Sequence, residues 1–262
     1  MECQSMLYIA NKTALKAGKK ILEIYKQAEI GVGFKQDKSP VTKADLESNK
    51  IIVRGIKKHF PDHGILSEET LDNKERLNKE FVWIIDPLDG TKEFIKKNGE
   101  FTVNIALTYK QKPIIGVVYA PALNQLFYAS LNKGAFMLDS FGKEHKINVS
   151  ERAELNKLIL VTSRSHASEK IKKIADRFSE VMKKGSSLKG CIIAKGDADV
   201  YFRLGKTNEW DICAMDIIVK EAGGLVTDLH GKELRYNKKN TLINGFLVSN
   251  NQIHEKLLAL IK

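Results

Sequence analysis

Two carboxylates, Asp86 and Asp89, stand three residues apart where the apolar run Phe81 to Ile85 ends in Asp86-Pro87-Leu88-Asp89-Gly90-Thr91. Proline and glycine bend the backbone there. That bend turns both carboxylates, and one intervening carbonyl, toward a single point. Hard cations such as Mg²⁺ take oxygen ligands of this kind and keep several waters. Capping of a helix that begins near Lys92, by Asp89 or Thr91, accounts for the same residues equally well.

Further acids change the balance. Ser67-Glu68-Glu69 follows Ile65-Leu66, a second apolar run at a strand end. Trp210-Asp211 opens a helix, and Asp45 stands three residues after Thr42, a predicted N-cap. Singly, the glutamates read as a solvated loop, Asp211 as a partner of the helix dipole, and Asp45 as a capping-box acid. Only their joint pattern points to metal-assisted chemistry.

The elements that must carry these residues are legible in outline. Leu7, Ala10, Ala14, Ala17, Ile21 and Ile24 recur at helical spacing and define an amphipathic first helix. A polar, glycine-containing stretch from Ala28 to Pro40 follows, then a helix from about Ala44 to Phe60. Strands are predicted at Phe81 to Ile85, Phe101 to Thr108, Pro113 to Tyr119, Gln125 to Ser130 and Gly134 to Leu138. The first half therefore reads as α+β, with helices on a mostly antiparallel sheet. In the second half strands are predicted at Leu158 to Thr162, Cys191 to Ala194, Val200 to Leu204, Leu225 to Asp228 and Phe246 to Ser249. Helices are predicted at Ala167 to Met182, at Trp210 to Ala222 with Gly223-Gly224 as its stop, and at the C-terminus. Strand–helix alternation makes this half α/β. The seam falls near Lys146 to Glu151, dividing the chain into 1–148 and 149–262.

Composition sets outer bounds. The 262 residues suffice for one large domain or two joined halves, and 43% hydrophobic with 29% charged residues excludes bulk disorder. A net charge of +11 favours anionic partners without choosing among them. Three cysteines, Cys3, Cys191 and Cys213, match neither a zinc site nor a disulfide framework, which suits a reducing compartment. No signal peptide is expected. The longest apolar stretch, Ile114 to Leu123, is about half a membrane span and contains Pro121.

The joint acidic pattern resembles the lithium-sensitive, magnesium-dependent phosphatase superfamily typified by inositol monophosphatase. Asp86 to Thr91 is its core signature, Ser67-Glu68-Glu69 its upstream glutamate motif, and Ser39-Pro40-Val41-Thr42-Lys43-Ala44-Asp45 its N-terminal motif. Trp210-Asp211 with Ala214 and Glu221-Ala222-Gly223-Gly224 is its downstream motif. All occur in family order over essentially the whole chain. The finer resemblance is to the bacterial 3′(2′),5′-bisphosphate nucleotidase branch. It rests on Thr91-Lys92-Glu93-Phe94-Ile95, Ser163-Arg164-Ser165-His166, Gly185-Ser186-Ser187-Leu188-Lys189, Ala198-Asp199-Val200-Tyr201 and Arg203. Gly190 departs from that branch, which often has an aromatic residue there.

The resemblance implies a layered αβαβα sandwich and two Mg²⁺ ions. Glu68, Asp86 and the Leu88 carbonyl would hold the first. Asp86 would bridge to the second, completed by Asp89 and Asp211, with a third, weaker ion near Glu68 and Glu69. Asp45 and Thr91 would orient and deprotonate the attacking water. A threonine hydroxyl is no base alone, and the carboxylate gives the proton somewhere to go. Gly90 and Thr91 N–H groups would hold phosphoryl oxygens. His166, Ser186, Lys189 and Arg203 would contact the sugar and 5′-phosphate of a small bisphosphorylated nucleotide, with Glu68, Leu88, Asp89 and Asp211 also against the substrate.

Phosphate-monoester hydrolysis is among the slowest uncatalysed reactions, so catalysis must supply ~20 kcal/mol. A general base gives only about 10²–10⁴-fold, which leaves clustered metal ions as the largest contribution. The implied reaction removes the 3′-phosphate of 3′-phosphoadenosine 5′-phosphate, giving AMP. Inositol monophosphatase is the alternative, against which Lys92-Glu93-Phe94 and the His166 segment argue; fructose-1,6-bisphosphatase ranks below it. A nucleic-acid-binding module is disfavoured by 8% aromatics and scattered basic residues, and a dead scaffold by the complete carboxylate set. A cytoplasmic enzyme is expected, monomeric or homodimeric, and the basic charge is compatible with peripheral contact with the inner membrane.

Overall fold

The structure, a computed structural model, describes residues 2–28, 31–34, 40–164 and 168–261. Ser39, Ser165 and His166, three residues of the sequence motifs, lie outside the described residues.

The first helix, α1 (Glu2–Tyr25), buries Ala10, Ala14, Ala17, Ile21 and Ile24 along one face, as their spacing requires. β1 (Val32–Phe34) pairs antiparallel with β2 (Pro40–Thr42), within and just beyond the polar, glycine-containing stretch. Helix α2 (Lys43–His59) starts on Thr42, whose Oγ1 accepts from the Ala44 N–H while the Asp45 carboxylate accepts from the Thr42 N–H. That reciprocal cap sets where the helix begins.

The larger sheet has seven strands in chain order: β3 (Gly64–Ser67), β4 (Phe81–Asp89), β5 (Thr102–Tyr109), β6 (Lys112–Ala120), β7 (Gln125–Ser130), β8 (Ala135–Leu138) and β9 (Glu144–Ile147). β3 and β4 run parallel and every other pair is antiparallel. A five-residue helix, α3 (Thr91–Ile95), leaves the end of β4. The smaller sheet contains β10 (Ile159–Ser163), β11 (Glu180–Lys184), β12 (Val200–Asn208), β13 (Leu225–Thr227) and β14 (Leu242–Ser249), ordered β11-β10-β12-β14-β13. Helices α4 (Glu169–Ile174), α5 (Leu188–Ala194), α6 (Cys213–Glu221) and α7 (His254–Ala259) complete the chain.

Side-chain alternation along the strands builds the layers. Trp83, Ile85, Ile105, Leu107, Val117 and Tyr119 share a core with α1 and α2. Their neighbours Val82, Ile84, Ala106, Val118 and Ala120 share another with α5 and α6, and that core continues into Val161, Tyr201 and Val248 of the smaller sheet. Leu160, Val200, Phe202 and Leu247 face α4 and α7. The order is helix, sheet, helix, sheet, helix, the αβαβα sandwich expected. At its centre a Cβ on Gly116 of β6 would stand 2.3 Å from the Ala214 carbonyl and 2.4 Å from Ile217 Cγ2, so α6 rests directly on the strand backbone.

Several boundaries differ from expectation. The strand read as ending at Ile85 continues through Asp89. The apolar run Cys191 to Ala194 is helix α5, buried on all sides between the sheets, where a short continuous apolar run suits either conformation. The single helix expected from Ala167 to Met182 is α4, a 3₁₀ turn (Ala175–Arg177) and the exposed edge strand β11. The helix expected from Trp210 is a 3₁₀ turn (Glu209–Asp211) followed by α6. Strand β9 had no sequence counterpart.

Candidate active site

The acidic motif is a bulge in a strand. Asp86 pairs with Asn104 and Asp89 with Thr102, so β4 spends one more residue than β5 between the two pairs. Pro87 lies within that irregularity, where a missing N–H is tolerated, and its carbonyl accepts from Ser48 Oγ at 2.7 Å. The Leu88 N–H donates to Asp86 Oδ1 at 3.1 Å. Gly90, at φ 91°, then turns the chain into α3, in a conformation that other residues adopt only with strain.

This bulge, the end of β3 and the turn before α6 converge. Carboxylate oxygens of Glu68, Asp86 and Asp211 lie within 4.8 Å of one another. Asp89, Leu88, Gly90 and Thr91 line the same cavity of about 310 Å³, and so do Ser186, Lys189 and Arg203 of the second half. The structure thus brings together nearly all the residues singled out in the sequence. Glu69 is apart from them: it does not line the cavity, and its carbonyl accepts from Asn49. His166 lies outside the described residues.

The electrostatics ask for a cation. Burial, then the charges of Glu68, Asp89 and Asp211, push the Asp86 carboxyl well above the usual range. Burial and the Asp89 charge push Asp211 up to about 6, against hydrogen bonds from Thr207 and the Asn208 N–H. Facing carboxylates that resist ionisation together are relieved by a bound cation. The donor set is all oxygen, which fits Mg²⁺ rather than a soft metal.

Asp45 and Thr91 meet across the first half. Thr91 Oγ1 donates to Asp45 Oδ1 at 3.1 Å, while Asp45 Oδ2 takes the Thr42 N–H (2.7 Å) and Oγ1 (2.6 Å). Burial raises the Asp45 pKa, opposed by those bonds. Its capping role and its contact with Thr91 coexist because they use different oxygens.

Four residues at the site had no role assigned from the sequence, although Ser187 stands within the motif Gly185-Ser186-Ser187-Leu188-Lys189 quoted above. Asn104 Nδ2 donates to Ser187 Oγ (2.9 Å) and Asp89 Oδ2 (3.3 Å), and Ser187 Oγ lies 2.8 Å from both Asp89 Oδ2 and the Asp211 carbonyl. Ser187 thereby ties Asp89 of the first half to the Asp211 backbone of the second. Thr207 holds the Asp211 carboxylate. For Asn104 the signal was an asparagine inside the apolar strand Val103-Asn104-Ile105.

Glu100 is the fourth. Its carboxylate takes Arg164 Nε (2.6 Å) and Nη2 (2.8 Å), the Gly185 N–H (2.8 Å) and Lys184 Nζ (3.3 Å). Burial raises its pKa, but these donors outweigh burial and hold it down at about 2. A carboxylate with a depressed folded-state pKa stabilises the fold above its unfolded value and loses that contribution as pH falls. Glu100→Gln should therefore cost about 1–3 kcal/mol at pH 7. The gap to the parent should stay constant above pH 4.5 and close as pH falls toward about 2. Denaturant titrations of both chains check this, and a pH-independent gap would contradict the assignment.

In the same cavity Lys189 is buried, its Nζ on the Ser186 carbonyl and 5.3 Å from the Tyr201 ring centre. Burial lowers its pKa. Arg203 donates Nη2 to the Lys206 carbonyl (3.3 Å), and its buried Nε has no hydrogen-bond partner among the described residues. Gly190, on α5, is needed at close range: a Cβ there would meet Met215 Sδ at 2.6 Å.

Comparison with known proteins is consistent with this geometry. The inositol monophosphatase family model matches residues 2–262. The 3′(2′),5′-bisphosphate nucleotidase CysQ of Escherichia coli O157:H7 is 42% identical over 241 residues, 90% of this chain and 96% of that protein. The crystal structure of CysQ from Bacteroides thetaiotaomicron superposes with a TM-score of 0.81 at 36% identity, covering 94% of this chain and 97% of that one. The IMPase of Thermotoga maritima superposes at 0.85 with 32% identity, covering 98% and 96%.

Proposed function

The chain belongs to the inositol monophosphatase family, and on that premise we propose that it is a 3′(2′),5′-bisphosphate nucleotidase, hydrolysing the 3′-phosphate of 3′-phosphoadenosine 5′-phosphate to AMP and phosphate. One observation carries the choice of substrate. The cavity that opens on the carboxylates is also lined by two cations, the buried Lys189 and the partly buried Arg203, whose Nε has no hydrogen-bond partner among the described residues. A second anionic group on the substrate answers them; an inositol monophosphate has none to offer. The identity to CysQ proteins supports the same reading.

Glu68, Asp86, Asp89, Asp211 and the Leu88 carbonyl would hold two Mg²⁺ ions, with a third, weaker ion near Glu68 and Glu69. Bound there, the ions supply Lewis-acid stabilisation of the charge on the attacking and leaving oxygens. The chain's own residues do the rest. Thr91 Oγ1, held by Asp45, accepts a proton from the attacking water as its own proton passes to Asp45 Oδ1. Water attacks phosphorus in line and the bond to the 3′-oxygen breaks, with no phosphoenzyme, and the departing 3′-oxygen takes a proton from solvent to become the hydroxyl of AMP. The Gly90 and Thr91 N–H groups receive phosphoryl oxygens. Ser186, Lys189, Arg203 and His166 engage the sugar and 5′-phosphate.

The sulfated analogue, 3′-phosphoadenylyl sulfate, suits the same cavity. The role would be clearance of a by-product of sulfate activation in the cytoplasm, with inhibition by lithium. No helix among the described residues is long and apolar enough to cross a membrane.

The deciding experiment is phosphate release with Mg²⁺ from 3′-phosphoadenosine 5′-phosphate, AMP, inositol 1-phosphate and fructose 1,6-bisphosphate, with and without lithium. Preference for the first, with AMP left intact, is expected; preference for inositol phosphate would overturn the substrate assignment and keep the metal site. In the same assay Arg203→Ala should raise KM for the bisphosphate about 10–100-fold, the worth of a charged hydrogen bond. Hydrolysis of a small phosphate ester should be spared. Equal losses on both substrates would contradict the role of Arg203.

A further inference from the structure

The chain also carries a buried polar network away from the substrate cavity. Arg76 is 2% exposed, Asn237 5% and Glu209 fully buried. Arg76 lies in the 3₁₀ turn Glu75–Asn78 that follows the Glu68 loop. Its backbone presses on the start of β3, since a Cβ on Gly64 would stand 3.1 Å from Arg76 Cα. Its guanidinium grips Asp72 in bidentate fashion, Nε at 3.1 Å and Nη2 at 2.8 Å. The same group reaches into the second half, with Nη1 on Asn237 Oδ1 (2.6 Å) and Nη2 on the Lys238 carbonyl (3.0 Å). Asn237 answers by donating Nδ2 to the Arg76 carbonyl at 3.2 Å.

The 236–238 segment then grips the turn that carries Asp211. The Asn237 and Lys238 N–H groups donate to Glu209 Oε2 (2.6 Å) and Oε1 (3.1 Å). Tyr236 OH donates to Asp216 Oδ2 at 2.7 Å. Glu209 and Asp216 flank Asp211 in sequence, so the turn before α6 is held on both sides. Asn237 adopts φ 54°, a left-handed conformation that asparagine tolerates better than most residues.

Burying charged groups in such a network is a poor device for stability, because desolvation offsets most of the attraction. It is a good device for fixing geometry. This network joins the start of β3 and the loop that follows Glu68 to the turn that delivers Asp211. Glu68 and Asp211 are two of the three clustered carboxylates, and they come from different halves of the chain. We propose that Arg76, Asn237 and Glu209 form a bracket that positions Glu68 and Asp211 against each other and so sets the affinity of the site for metal. The inference rests on the metal reading above and names positioning residues that never touch the ion or substrate.

The test is direct metal binding by the full chain, with Mn²⁺ as the probe and free Mn²⁺ read by electron paramagnetic resonance. Asn237→Ala removes the centre of the bracket. Glu209→Gln, which is isosteric and keeps one of the two acceptors, supplies the measurement if Asn237→Ala does not fold. The Mn²⁺ dissociation constant should rise about 10–100-fold, as when outer-sphere partners of metal ligands are removed. Activity should return toward that of the parent as metal is raised, with KM for the phosphate substrate unchanged at saturating metal. A merely structural role would lower the melting temperature and leave Mn²⁺ affinity and metal rescue untouched. Parent-like affinity in a folded variant overturns the bracket alone. A parent chain that bound no Mn²⁺ would overturn the metal reading and the bracket with it.

Discussion

Asp86→Asn should abolish phosphate release while leaving the metal-free fold at least as stable as the parent. Asp86 is central to the carboxylate cluster and opposed there by Glu68, Asp89 and Asp211. Asparagine keeps an acceptor for the Leu88 N–H but carries no charge for a cation. Charge stabilisation by metal is worth several kcal/mol in the transition state, and each 1.4 kcal/mol is about tenfold in rate, so the loss in kcat/KM is about 10³-fold or more. The stability effect has the opposite sign. The substitution imitates the protonated carboxyl that burial already favours, so with chelator present the variant should melt no lower at pH 7. Phosphate release and thermal melting with and without Mg²⁺ check both halves. Residual activity within tenfold, or a lower metal-free melting temperature, would show that Asp86 is not the electrostatic centre of the site.

The second large effect concerns the proton. Asp45→Asn and Thr91→Ala should each lower kcat by about 10²–10⁴-fold, the range for loss of a general base. The double variant should be no worse than the poorer single, because the two groups act as one unit. Asparagine is the right replacement at 45, since its side chain still accepts at the cap of α2 and the fold is spared. Thr91→Ser restores the hydroxyl and should recover most of the activity. Multiplicative losses, or a serine variant as slow as the alanine one, would separate the pair.

The site was legible where its chemistry lies in contiguous residues, and the fold where periodicity is clean. Asp86 to Thr91 alone suits helix capping as well as metal binding, and it was the four acidic motifs together that singled it out. Helix α1 was legible because one face is uniformly buried. Helix α5 was misread because, packed between two sheets, Leu188–Ala194 has no polar face to show its period. Strand β11 was hidden for the opposite reason: Glu180–Lys184 lies at an exposed edge and is rich in charge, which is how edges resist pairing with other chains. Ser187, Glu100 and Arg76 act on partners distant in sequence, and no local pattern encodes a contact that only the folded layers create.

The shared core between the two sheets also has a consequence for synthesis. Asp86 and Asp89 leave the ribosome early, whereas Asp211 and the helix that packs on Gly116 follow roughly 125 residues later. At ordinary elongation speeds that is a delay of about 10 s. During it the nascent chain displays the even-numbered face of the larger sheet, Val82, Ile84, Ala106, Val118 and Ala120, without the helices that cover it. The same late segment that completes the cluster of Glu68, Asp86 and Asp211 also closes that face.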